Sequence, residues 1–104
     1  MQMPQLTCQR VQFYSAADEA AFFSFARSIG GVASVRGSGD SIVLDLTSEP
    51  SEQGLRDLIA LFERYRISGA SQLAKFLSDS NSSWFGDPQK FWYENIFDEA
   101  TRHI

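Results

Sequence analysis

Apolar residues recur along this chain with two periods, and the places where the period changes mark its elements. Polar and apolar side chains alternate over 6–14, which predicts a strand. Leu6 and Cys8 take one parity, Val11 and Phe13 the other, so a bulge near Gln9 and Arg10 or a late start to the regular strand is expected. Ser15 then opens a helix. Asp18 stands three residues on, as in a capping arrangement, and Asp18 and Glu19 suit the positive end of the helix dipole. Phe22, Phe25, Ala26 and Ile29 recur at i, i+3, i+4 and i+7, with Phe23 widening the stripe. Gly30-Gly31 stops it, since glycine takes a left-handed position freely.

Residues 32–36 read as a short strand, Gly37-Ser38-Gly39-Asp40 as a turn, and 41–47 as the next strand. In that strand Ile42, Leu44 and Leu46 face one way, which makes an antiparallel hairpin. Pro50, placed in the first turn, and the serines around it start a second helix. Leu55, Leu58, Ile59, Phe62 and Tyr65 or Arg66 give it the cleanest helical period in the chain. Glu52 and Arg56 lie four apart in the favourable order. Ile67-Ser68-Gly69 breaks the pattern, and a short third helix over 70–77 presents Leu73, Phe76 and Leu77. A polar loop, 79–83, leads to Trp84 and Phe85. Asp87 as N-cap and Pro88 at the first helical position predict a last helix carrying Phe91, Trp92, Tyr93, Ile96, Phe97 and Glu99. The order β-α-β-β-α-α-α predicts an α+β fold: a small three-stranded sheet with helices packed on one face. At 104 residues the chain is expected to be a single globular domain, 1–104.

Composition narrows the class of function. With 43% apolar and 21% charged residues the chain is globular, not disordered. The formal net charge of −4 argues against nucleic acid or an anionic membrane as partner and suits a basic protein partner. One cysteine, Cys8, allows no intramolecular disulfide and fits a reducing compartment. The start of the chain lacks a basic and apolar leader, and no stretch approaches the ~18 apolar residues of a membrane span. A cytoplasmic protein is the expectation.

Candidate chemistry is thin. Asp98, Glu99 and His103 come nearest to a metal cluster, but zinc needs three or four ligands of defined geometry and nothing nearby completes the set. Cys8 could act as a nucleophile only beside a base, and the sole histidine stands at the far end. Asp40, Asp45, Glu49, Glu52 and Asp57 could pair as acid and base, yet caps, turns and a wet helix face explain them as well. The glycine pairs are turns, not phosphate loops, because no Lys-Ser or Lys-Thr follows. Residues 71–77 resemble the first helix of a helix-turn-helix, and no basic second helix follows. The balance leans away from an enzyme, with no catalytic residue, cofactor or metal assigned.

The fourteen aromatics are unevenly placed, with Trp84, Phe85, Phe91, Trp92, Tyr93 and Phe97 crowded near the end. Phe91, Trp92 and Tyr93 are consecutive, so on a helix they spread over about 200° and at least one must face outward. Trp and Tyr are enriched at binding hot spots, which favours Trp92 or Tyr93. The expected interface is therefore Trp92 and Tyr93 with Asp45, Glu49 and Glu52. The leading expectation is a small acidic protein-interaction domain without catalysis, for example an immunity-like protein that neutralises a partner, or a homodimer through Trp92. The alternative is a small-molecule-binding or catalytic domain with a pocket between sheet and aromatic helix, drawing polar groups from Arg10, Arg36 or Asp45.

Overall fold

A computed structural model describes residues 4–97. Three strands, β1 (Gln5–Gln9), β2 (Val32–Ser38) and β3 (Ser41–Leu46), form one antiparallel sheet in the order β1-β3-β2. Helix α1 (Ala16–Ser28) lies between β1 and β2, and α2 (Glu52–Arg64) follows β3. A 3-10 helix, Ala70–Phe76, and the short α3 (Tyr93–Phe97) complete the order. The α+β class and the succession of elements agree with the sequence. The described residues fall into two compact units, divided between Ser68 and Gly69.

The first unit holds the sheet, α1 and α2. Pairing places Leu6 opposite Leu44 and Cys8 opposite Ile42, so these residues share one sheet face. Val32 and Val35, three apart on β2, reach that face together because the register shifts between Val32 and Ser34. On this side Leu6, Cys8, Leu44 and Leu46 are buried with Phe22 and Ala26 of α1 and with Leu55, Leu58, Ile59 and Phe62 of α2. The opposite face carries Gln5, Thr7, Ser34, Arg36 and Asp45. A two-residue turn, Gly39-Asp40, joins β2 to β3, with Gly39 at φ 61° as the first position of a tight hairpin turn requires. Gly54 permits close packing: a Cβ there would stand 2.7 Å from the Gly30 carbonyl oxygen.

Several local expectations need correction. The first strand ends at Gln9, not at Tyr14, because Arg10 turns the backbone to φ 54°. That turn, and not a bulge, resets the parity of the apolar residues. Ser51, not Pro50, is adjacent to the second helix; its hydroxyl accepts from the Gly54 N–H at 3.1 Å, and the proline precedes the cap. The third helix is 3-10 throughout, and its N-cap is Gly69, which has no side chain to accept an end N–H.

In the second unit the polar stretch 79–83 is a succession of turns pinned by one side chain. Asn81 Nδ2 donates to the Phe76 carbonyl at 2.8 Å, and its Oδ1 accepts from the Ser78 N–H at 2.8 Å. Asp87 does start a turn, accepting at Oδ1 from the Gln89 N–H at 2.9 Å. The turns that follow close i to i+3, from Asp87 to Lys90 and from Lys90 to Tyr93. Regular helix therefore begins at Tyr93, later than the cap residue predicts.

Candidate functional site

Two backbone irregularities in the first unit build its most distinctive concave feature. The first ends α2. After the cap residue Tyr65, Arg66 adopts φ 51°, its N–H donates to the Glu63 carbonyl at 3.3 Å, and the Ile67 N–H donates to the Phe62 carbonyl at 2.9 Å. This is the Schellman arrangement, whose left-handed position is usually glycine. Here an arginine occupies it. The second irregularity is Arg10, also left-handed, whose N–H donates to the Asp40 carbonyl at 3.2 Å. An antiparallel bridge between Gln9 and Ser68 ties the two exits together. Arg10 and Arg66 therefore meet at one place although they stand near opposite ends of the unit's sequence.

The result is a cleft of about 400 Å³ lined by Arg10, Gln12, Tyr14, Asp18, Arg64, Tyr65 and Arg66. Its volume is in the range of small-ligand sites. Tyr65 is fixed by packing, with its ring edge-on to Phe22 at 5.0 Å and to Phe13 at 6.3 Å. The Arg64 guanidinium lies 5.8 Å from the Tyr65 ring centre. Asp18 is partly committed, because its Oδ2 accepts from the Tyr14 N–H at 3.0 Å while Ser15 caps the same helix end. Tyr14 is 85% exposed. Among the described residues Arg10, Arg64 and Arg66 form no ion pair. A helix C-terminus favours positive charge, which accounts for Arg64 as a stabilising residue. It does not account for Arg10, which lies on no helix, or for the unfavourable backbone of Arg66.

Sequence reasoning named Arg10 only for a pocket between sheet and aromatic helix, and missed Arg64, Arg66, Tyr14 and Gln12 as its neighbours in this cleft. A signal was available. The helical period ends at Tyr65 or Arg66, and the first glycine comes only at Gly69. A helix that ends without glycine at its left-handed position places a bulky residue there at a cost.

The expected interface residues do not gather around this cleft. Asp45 sits on the polar sheet face, where its carboxylate accepts from Gln5 Nε2 at 2.7 Å, Ser34 Oγ at 2.7 Å and Arg36 Nε at 3.0 Å. Arg36 and Asp45 thus hold each other instead of lining the cavity. Glu52 pairs with Arg56 at 3.1 Å along α2, and Glu49 is exposed. Trp92 points inward, against expectation: it is 7% exposed, and its Nε1 donates to the Phe85 carbonyl at 2.9 Å. Tyr93 is half-buried against Phe97, with ring centres 5.1 Å apart. The outward ring is Phe91, 69% exposed. Indole burial with its N–H bonded decides which of the three neighbours turns out.

The hydrogen bonds from Ser34, Arg36 and Gln5 hold the Asp45 carboxyl below its ordinary value of 3.8. Because the folded value is the lower one, Asp45 stabilises the fold above 3.8, and that contribution fades as pH falls through the depressed value. Asp45→Asn should therefore melt below the parent protein at neutral pH, with the gap closing on acidification below about pH 4. Melting curves across that window check it; a gap constant with pH would remove the ionic contribution.

Burial pushes the Cys8 thiol up to about 12, so it remains protonated and is a poor nucleophile. No group of three potential metal ligands occurs among the described residues, and Asp98, Glu99 and His103 lie outside them. No described helix is long and apolar enough to cross a membrane. Against known protein families, curated proteins and solved structures, the chain finds no match.

Proposed function

We propose that this protein is a non-enzymatic binding domain whose ligand is an anion, taken in the cleft of Arg10, Arg64 and Arg66. The observation that supports this is that three arginines, none in an ion pair among the described residues, line one cleft. Arginine is always charged and offers its donors in a planar fork that suits carboxylate and phosphate oxygens. Two of the three arginines hold a backbone conformation disfavoured for side chains larger than glycine. Strain of this kind concentrates at ligand sites, where function keeps what stability would remove.

The net charge of −4 pointed toward a basic partner, and the cleft favours the opposite sign. The two are compatible because exposed charges are screened over about 8 Å at physiological salt. Within that distance the lining sets the potential, and its arginines outnumber its single carboxylate.

Thermal-shift titration with small anions and small cations tests the reading. Inorganic phosphate and citrate should raise the melting temperature, the gain amounting to about 1.4 kcal/mol at ten times the dissociation constant. Spermidine should not. The double variant Arg10→Ala/Arg64→Ala should lose the anion response. A response to spermidine alone, or an unchanged anion response in the double variant, would sink the proposal.

A further inference from the structure

The charge and size of the cleft narrow the kind of anion it takes. Its lining carries Arg10, Arg64 and Arg66 against Asp18, an excess of two positive charges. A monocarboxylate neutralises half of that. A phosphate monoester carries about −1.5 to −2 near pH 7, with three strong acceptor oxygens, and matches both the charge and the number of guanidiniums.

The cleft, at about 400 Å³, also has room beside a phosphoryl group. A phosphoryl ligand can therefore carry an organic body. Tyr14 gives that body its character. Tyr14 lines the cleft, is 85% exposed, and its ring packs against no other ring among the described residues. Tyr65, by contrast, is already committed to Phe13 and Phe22. An exposed tyrosine beside three arginines presents a π-face for a planar group.

We infer that the cleft binds the dianionic phosphate monoester of a small aromatic alcohol, its phosphoryl oxygens among Arg10, Arg64 and Arg66 and its ring against Tyr14. The inference rests on the anion-binding proposal above and goes beyond it in naming the ligand class. Binding is non-covalent, and no bond is made or broken.

Calorimetric titration of the full chain near neutral pH with four probes tests it. These are inorganic phosphate, phenyl phosphate, methyl phenyl phosphate (a monoanion) and terephthalate (a dianion without phosphorus). Phenyl phosphate should bind tightest, roughly three- to tenfold better than inorganic phosphate, the gain expected of one aromatic pair. Methyl phenyl phosphate should bind about tenfold more weakly than phenyl phosphate, having lost one charge. Tyr14→Leu, at an exposed position, should erase the advantage of phenyl over inorganic phosphate.

Terephthalate or the monoanion binding as tightly as phenyl phosphate would overturn the monoester class while leaving an anion site in place. A Tyr14→Leu variant that keeps the preference for phenyl phosphate would overturn the placement of the ring. Failure of all four probes to bind would remove both this inference and the anion reading beneath it.

Discussion

Replacing Arg66 by glycine should make the protein more stable and a poorer binder. Arg66 holds φ 51° at the left-handed position that ends α2. For a residue with a Cβ that conformation costs about 1–2 kcal/mol. Glycine removes the cost but adds conformational freedom to the unfolded chain, which takes back about 0.4–1 kcal/mol. The difference favours the variant by up to about 1.5 kcal/mol, or a rise of several degrees in melting temperature for a chain of this size. The N–H bonds to Glu63 and from Ile67 are backbone bonds and survive the change.

The same substitution removes one of the three arginines that line the cleft. A hydrogen bond to a charged group contributes about 1.5–3 kcal/mol, so anion affinity should fall roughly tenfold to a hundredfold. Melting and titration on the one variant read both effects. Gain of stability together with loss of binding is the signature of a residue kept for its ligand. A less stable Arg66→Gly would mean that the arginine side chain supports the fold, and the functional account of its backbone would fail.

Phe22→Ala should bring the protein close to unfolding. Phe22 is fully buried and meets Phe13, Phe23 and Tyr65 edge-on, with ring centres 5.0 to 5.5 Å away. Truncating a buried phenylalanine to alanine costs about 3–5 kcal/mol, combining the lost transfer energy with the cavity left behind. Small domains have only about 5–15 kcal/mol in total. Chemical denaturation should show the midpoint falling by a large fraction of its value with little change in slope. A loss below about 1 kcal/mol would show that the surrounding rings collapse into the space. Tyr65 packs on Phe22 and lines the cleft, so anion binding should weaken in the same variant.

What the sequence made legible was local. Ser15 with Asp18, the stripe on α2 and the hairpin at Gly39 each depend on residues within a turn or two of one another. All are present, the Asp18 N–H donating to Ser15 Oγ at 3.1 Å. What it left hidden depended on distant pairing. That β1 joins the far side of β3 follows from Leu6 meeting Leu44, which no local pattern encodes. The end of β1 at Gln9 was obscured because Val11 and Phe13 continue an alternation after the ladder has stopped. The cleft was less legible still. Arg10 and Arg66 are unremarkable in sequence and come to line one cleft only through the Gln9–Ser68 bridge. Trp92 misled for another reason. Hot-spot statistics describe tryptophans that partners cover, whereas the indole N–H of this one is satisfied inside its own chain by Phe85.

The Gln9–Ser68 bridge has one more consequence. Between its two ends lie both helices and two of the three strands. A ligand that touches Arg10 and Arg66 together closes that whole loop of chain, as a removable, non-covalent cross-link would. Occupancy of the proposed site should therefore oppose global unfolding of the first unit and not merely quiet the loops it touches.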